Sequence, residues 1–460
     1  MSSLSPRDLC DDFAAAVAGT RYEKLQPAAI DAAKKSILDT LGVIVAASGM
    51  EPAVRPLIEH LVDCGGKPES SVLGWGQRLP ASAAALANGA MAHCLDFDDR
   101  TSRGGHCASA MIPAVFALAQ RNGPVPGQRV IAAVAAAQDM FIRLRCNVAA
   151  TQTWNVSTIL GVFSATAAAA TILGLGESEI ANALAIASMQ AGGTMQPVYG
   201  GTHLRGMYAG FSANVAVNAA LLAERGLSGI HGVFEGKAGI LQACFAGKYD
   251  RDQIVSGLGQ HYLGSDMVYK PWPVVGLSHT YIHATLQLMA LHGLRPWDVE
   301  QIRVFISESQ QQMCLPLERR RRPQSAVDAK FSLPFVIGVA ASKGQVALRD
   351  FTPEALNDPQ VLDMAQKVLP TEEPGEAWKS NSLVGRVEIL AKDGRRFECV
   401  GARVPGSPEA PMSWEQLARK FTDCASAAVT PIAPDKVEEV IRLVKDLDSL
   451  DDAAAVVAPL

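Results

Sequence analysis

Three carboxylates and two histidines crowd into residues 92–106, Ala-His-Cys-Leu-Asp-Phe-Asp-Asp-Arg-Thr-Ser-Arg-Gly-Gly-His. Asp96, Asp98 and Asp99 follow directly on an alanine-rich apolar run, with His93 before them and His106 after. Charges that emerge from a buried helix are costly unless they have partners or work to do. The chemistry this set of groups supports is proton transfer: an unperturbed imidazole titrates at about 6.5, within reach of neutral pH. Gly104-Gly105 allow the backbone a tight approach just before His106. Asp96 is expected to orient His106 or to act as a base, its affinity for a proton raised by two neighbouring acids. Asp98 and Asp99 are ranked below it, as helix caps and arginine partners. His93 shares a helical face with Asp96 and is read as a core histidine with its polar atoms satisfied.

An Asp-Phe-Asp-Asp helix end is also compatible with a magnesium–diphosphate site of the kind found in all-helical terpenoid synthases. No second metal motif accompanies it, and aromatic residues make up only 6% of the chain, too few for the usual lining. No metal is expected.

The elements that must hold these residues are mostly helical. Residues 26–48, 81–95, 108–121, 128–141, 157–173, 177–191 and 205–225 have helical length and apolar spacing. Gly, Pro and Asn punctuate them at 122–127, 174–176 and 226–229. Many stripes are alanine-rich, and small residues let helices pack closely. Beyond about residue 262 the pattern changes. Residues 302–307, 384–391 and 397–404 read as strands, the last two joined by the Asp393-Gly394 hairpin signal. Helical stretches near 278–294, 333–343 and 358–368 lie between them, and 414–426 and 434–447 are helical again. The expected fold is mainly α with an inserted α+β domain. Residues 1–267 and 406–460 build an all-helical domain around the insert 268–405.

Length and charge narrow the function classes. At 460 residues, two domains are expected. A formal net charge of −5 and a pI near 6.0 argue against a nucleic-acid surface. The amino terminus lacks the basic start and apolar run of a signal peptide. The apolar stretches 83–92 and 162–174 read as buried helices too short to span a bilayer. Nine cysteines are scattered singly, which suits reduced thiols in a cytoplasmic protein and no disulfide frame or zinc site. The basic run Arg319–Arg322 reads as a solvated charge run.

Several local patterns, taken together, resemble the MmgE/PrpD family, which includes 2-methylcitrate dehydratases, cis-aconitate decarboxylases and an iminodisuccinate epimerase. They are Asn88-Gly89, then His93-Cys-Leu-Asp96-Phe-Asp98-Asp99 with His106 ten residues beyond Asp96, then Lys270-Pro271-Trp272-Pro273 with His279. Ala329-Lys330-Phe331-Ser332-Leu333, Pro405-Gly406-Ser407-Pro408 and Pro411-Met412-Ser413 complete the series, so the resemblance runs from about residue 26 to 425. It implies a helical domain made from both chain ends plus a smaller inserted lid, a homodimer, and chemistry without metal or organic cofactor. The implied substrate is a small polycarboxylate. Asp96, His106 and Lys270 would be the catalytic residues, with Arg205 and Lys270 gripping carboxylates.

Departures from the family pattern mark this chain. Arg205 stands where a lysine is usual; it keeps the cation but cannot donate a proton at neutral pH. Tyr208 and Asn155 each stand where histidine is common, and Asn155 can hydrogen-bond but not titrate. Arg100 replaces a common threonine, and His283 a common aspartate. Arg100, Asn155, Arg205, Tyr208 and His279 are therefore the expected substrate-binding set. The expected activity is a cofactor-independent lyase on a small di- or tricarboxylate, by dehydration or decarboxylation. A dicarboxylate epimerase and a non-catalytic relative are the alternatives.

Overall fold

A computed structural model describes residues 7–149, 151–200, 202–373 and 385–460. The helices in chain order are α1 (Leu9–Gly19), α2 (Pro27–Met50), α3 (Val54–Cys64), α4 (Ala81–Cys94), α5 (Ala108–Asn122), α6 (Gly127–Asn147), α7 (Val156–Leu173), α8 (Glu177–Ser188), α9 (Gln196–Gly200) and α10 (Leu204–Glu224). They continue with α11 (Ile240–Phe245), α12 (Arg251–Val255), α13 (His279–Leu291), α14 (Leu317–Arg321), α15 (Ala326–Lys330), α16 (Leu333–Lys343), α17 (Pro359–Gln366), α18 (Trp414–Ser426) and α19 (Pro434–Lys445). The chain divides into two units, 1–269 with 412–460, and 270–411.

In the first unit, α7 is the central buried rod. Its sequence, Val-Ser-Thr-Ile-Leu-Gly-Val-Phe-Ser-Ala-Thr-Ala-Ala-Ala-Ala-Thr-Ile-Leu, has no charged side chain, and nearly every residue is buried against α5, α6, α8 and α10. A helix apolar on all sides must be enclosed on all sides. The expectation that 162–174 is too short to cross a bilayer needs correction, because these residues belong to a longer helix. Among the described residues, α7 and α10 are long and apolar enough to cross a membrane by length and composition alone; 83% and 61% of their apolar windows are instead buried inside the protein.

The second close packing is α4 on α10. An added Cβ at Gly206 would lie 2.5 Å from Cys94 Cα, and one at Gly210 would lie 2.3 Å from the Leu86 carbonyl oxygen. The backbones touch, so side chains at 205 and 208 are carried up against the end of α4. Gly210→Ala is expected to lower stability by about 1–3 kcal/mol, because its methyl meets backbone that cannot rotate away; thermal unfolding measures it.

After the second unit the chain returns with α18, which packs along α2. The helical unit is not wholly helical, a correction to the expectation. β1 (Ser70–Ser71) pairs with β2 (Arg78–Leu79), and β3 (Arg100–Thr101) with β4 (Met267–Val268), both antiparallel. The β3–β4 pairing also keeps residues 267–269 with this unit, which moves the boundary beyond the expected 267/268. The return falls at 411/412, where Met412 is buried and Ser413 caps α18, against the expected 405/406.

The second unit holds a four-stranded sheet in the order β6 (Val368–Glu372), β5 (Val299–Ile306), β7 (Gly385–Ala391), β8 (Arg396–Gly401). β5 and β6 are parallel and the other pairs antiparallel. Residue 384, at the start of the expected strand 384–391, lies outside the described residues. Alternate residues of β5 and β7 are buried, including Ile302, Val304, Val387 and Ile389, and α13 covers β7 and β8. The turn between β7 and β8 places Gly394 at φ 88°, as an Asp-Gly hairpin requires. β6 was not expected; Pro370 within it and its edge position weaken the strand signal. In the basic run, Arg319 and Arg320 pair with Asp328, and Arg321 pairs with Glu318, so the charges are engaged locally.

Candidate active site

The first unit gathers the acid–histidine segment around the end of α4. Alanine, the best helix former, fills much of this helix. The chain leaves it at Leu95 and Asp96, where the Asp96 N–H donates to the His93 carbonyl at 2.9 Å. Asp96 has φ 55°, in the left-handed region where aspartate is among the tolerated non-glycine residues.

Asp98 is a carboxylate that lies against both histidines. Its Oδ2 lies 2.9 Å from His93 Nδ1 and 3.0 Å from His106 Nδ1. The two imidazoles meet edge to face with centroids 4.6 Å apart. His106 Nδ1–H also donates to the Asp99 carbonyl oxygen at 2.7 Å. A carbonyl only accepts, so this nitrogen carries a proton. The His106 side chain is 14% exposed against 3% for His93 and none for Asp98, so His106 is the accessible end of the cluster.

The backbone before His106 is fixed by glycine, as its sequence implies. Gly104 and Gly105 both have positive φ. The Thr101 N–H donates to the Gly105 carbonyl, and Arg145 donates to the carbonyls of Arg103 and Gly104. On the other side, the His106 N–H donates to Ser157 Oγ at 3.0 Å.

Adjacent acids end in opposite states. Burial pushes the Asp98 carboxyl up, but the charges and hydrogen bonds of His106 and His93 outweigh it and hold it well below the usual range. Burial, joined by the neighbouring charge of Asp39, holds the Asp99 carboxyl well above that range, against a hydrogen bond from Ser36. The two carboxyls are therefore shifted in opposite directions, Asp98 toward the ionised form and Asp99 toward the protonated one. Neither caps a helix or pairs with arginine as the sequence suggested.

His93, Asp98 and His106 present ligand-capable atoms within 4.8 Å of one another. The His106 Nδ1 that faces this group lies 2.7 Å from the Asp99 carbonyl oxygen, a contact that favours a proton on that nitrogen over a bond to a metal.

The remaining expected residues fall in several places. Arg205, at the start of α10, pairs with Asp96 at 3.2 Å. Tyr208, one turn on, packs its ring 4.5 Å from that of His93. Burial raises its phenol, the Asp98 charge adds to this, and a hydrogen bond with Ser157 opposes it. Arg100 is half-buried and spends Nη1 on the carbonyls of Thr101 and Ser102, with Asp266 and Asp96 as its acidic neighbours. The Asn155 side-chain oxygen accepts the Ser157 N–H at 3.0 Å and so caps α7, which steadies the residue that holds the His106 backbone. Lys270 and His279 belong to the second unit, and both are buried. His279 Nε2 lies 3.2 Å from the Val274 carbonyl oxygen, and its ring meets Trp272 edge to face.

His93 is, as read from the sequence, a buried histidine with a satisfied ring nitrogen. Its partner Asp98 was underrated, because nothing local to the sequence separates it from Asp96 and Asp99. A separate cavity of about 380 Å³ is lined by Thr20, Arg21, Tyr22 and Arg129 among others, and includes no residue of this cluster.

Comparison with known proteins agrees with the residue pattern. Residues 11–252 match the MmgE/PrpD N-terminal domain, and residues 272–447 match the MmgE/PrpD C-terminal domain. The chain is 27% identical to cis-aconitate decarboxylase of Homo sapiens, over 97% of this chain and 93% of that protein. It is 28% identical to cis-aconitate decarboxylase of Aspergillus terreus (83% and 81%), and 25% identical to 2-methylcitrate dehydratase of Salmonella typhimurium (84% and 83%). With both domains matched and relatives of both reaction types aligned along most of its length, the chain belongs to the MmgE/PrpD family and is an enzyme of its lyase type.

Proposed function

We propose that the chain is a cofactor-independent lyase that removes CO₂ or water from a small di- or tricarboxylate, with His106 as its proton carrier. The observation that supports this most is the Asp98 carboxylate bonded to both His93 and His106. One anion fixes the tautomer of the accessible imidazole and stabilises it when it gains a proton. In decarboxylation, His106 Nε2 protonates the carbon that loses CO₂. In dehydration, the same atom protonates the departing hydroxyl while a base removes the proton α to a carboxylate. Asp96, next in reach on the same segment, is the proposed base, and its ion pair with Arg205 sets the guanidinium for a substrate carboxylate. On the family pattern, Lys270 is proposed to bind a second carboxylate. Arg100, Asn155, Tyr208 and His279 are proposed to shape substrate choice.

The test is purified protein incubated with cis-aconitate, 2-methylcitrate, citrate and iminodisuccinate, following double-bond absorbance and CO₂ release. CO₂ release identifies the decarboxylase form, and new absorbance without it the dehydratase form. Inversion of iminodisuccinate alone would replace the reading with an epimerase. No turnover by well-folded protein would leave a non-catalytic relative. Arg205→Ala is expected to raise KM about 10–100-fold, the worth of one charge-assisted hydrogen bond, with partial recovery in Arg205→Lys.

A homodimer in the cytoplasm completes the proposal. Cysteines outside any disulfide among the described residues suit a reducing compartment. Leu204 and Phe211 on α10 stand exposed, and light scattering of the purified protein measures the oligomeric state.

A further inference from the structure

Behind the histidine cluster lies a buried ion pair that the proposed chemistry does not use. Lys420, on α18, donates to Asp39 Oδ1 on α2 at 2.6 Å, and both side chains are nearly or wholly shielded from solvent. The same ammonium donates to the Phe97 carbonyl oxygen at 2.7 Å and sits 3.8 Å from the centroid of the Phe97 ring. The Asp39 carboxylate holds the ammonium in place through Oδ1, and its Oδ2 has no hydrogen-bond partner among the described residues. The Phe97 carbonyl belongs to the peptide that leads into Asp98. The cation grips that peptide and the anion holds the cation.

Consecutive backbone groups in an irregular segment need partners once buried. Here the segment follows a left-handed residue and has no strand or helix to supply them. A charged pair is an expensive way to do this, because desolvation offsets much of the Coulomb gain. What it adds over an apolar contact is direction, since a bond to the peptide leading into Asp98 fixes where the Asp98 side chain leaves the backbone. Asp98 Oδ2 and the Asp99 carbonyl together hold His106 Nδ1. The chain of contacts therefore runs from the C-terminal segment to the proposed proton carrier without touching substrate.

We infer that Lys420 and Asp39 are positioning residues, a buried clamp that sets Asp98 and through it the tautomer and orientation of His106. The functional part of this inference rests on the reading of His106 as proton carrier, but the geometric part does not. An ion pair that merely joins α2 to α18 would affect stability and leave the imidazoles as they are.

The deciding measurement is the hydrogen-bonded Nδ1–H signal of His93 and His106 in protein labelled with ¹⁵N-histidine. The neutral double variant Asp39→Asn/Lys420→Met avoids a lone buried charge and removes the donor to the Phe97 carbonyl. In this variant the clamp requires the His106 Nδ1–H resonance to shift or vanish while thermal unfolding stays cooperative. Where turnover is established, kcat falls roughly tenfold to a hundredfold with KM little changed, the response to a displaced catalytic group. A folded double variant with the wild-type His106 signal overturns the clamp, whatever the substrate assays show. If the double variant does not fold, Lys420→Arg decides. It keeps the charge but replaces the compact ammonium with a planar fork. The clamp then predicts a displaced His106 resonance, and an unchanged one rejects it.

Discussion

Replacing His106 with alanine lowers kcat by about 10²–10⁴-fold, the usual worth of a positioned proton-transfer group. The expected effect is on turnover more than on folding. The ring is partly exposed, and its removal leaves Asp98 still bonded to His93 at 2.9 Å. His106→Gln is as informative, because the amide keeps a donor toward Asp98 and the Asp99 carbonyl but cannot titrate. Equal losses in both variants would assign the defect to proton transfer. Full activity in either one removes His106 from the mechanism. The measurement is kcat and KM on whichever polycarboxylate is turned over, alongside a thermal unfolding curve.

Asp98→Asn is expected to cost about 10²–10³ in kcat, and it carries a second signature in the pH dependence of stability. An amide presents one acceptor and one donor where two Nδ1–H groups converge on a carboxylate oxygen, so one imidazole must abandon its tautomer or its bond. Loss of tautomer control in a related acid–imidazole arrangement costs about 10⁴; here His106 keeps a second acceptor in the Asp99 carbonyl, so a smaller loss is expected. In the folded wild type, the charges of His106 and His93 overcome the effect of burial and hold Asp98 far below its unfolded value of about 3.9. The stability this contributes is complete above that value and is lost as pH falls toward the folded one. Asp98→Asn removes this contribution, so the variant is less stable at pH 7 and its stability falls less steeply below pH 4. Denaturant unfolding at pH 7, 5, 4 and 3 tests both parts. A variant with the wild-type acid limb would show that Asp98 is not the ionised member of the cluster.

The helical elements were largely legible in the sequence because they rest on local signals. Alanine content, apolar spacing and glycine or proline punctuation gave α2, α4, α5, α6, α7, α8 and α10 to within a few residues at most of their ends. The same holds for the β7–β8 hairpin, whose Asp-Gly turn is a two-residue signal. β6 was missed because its pairing partner, β5, lies more than sixty residues away and no local pattern announces it. The functional segment was legible as a concentration of charge and not as an arrangement. Asp96, Asp98 and Asp99 look alike in sequence, and only the fold sets Asp98 against both His93 and His106.

The sequence by itself determined that 92–106 is the segment where chemistry concentrates, that glycine frees the chain before His106, and that a helical body carries it. These follow from residue type and spacing, which act over a few positions. Tertiary structure alone decided which acid is pushed toward the ionised form and which away from it. Asp98 faces two imidazoles, and Asp99, one residue on, faces Ser36 and the field of Asp39. It also decided that Arg205 meets Asp96 across the contact of α4 and α10, and that Lys420, more than three hundred residues away in sequence, grips the backbone beside Asp98. Protonation and orientation depend on which charges lie within a few ångströms after burial, and that neighbourhood forms only when distant parts of the chain pack together.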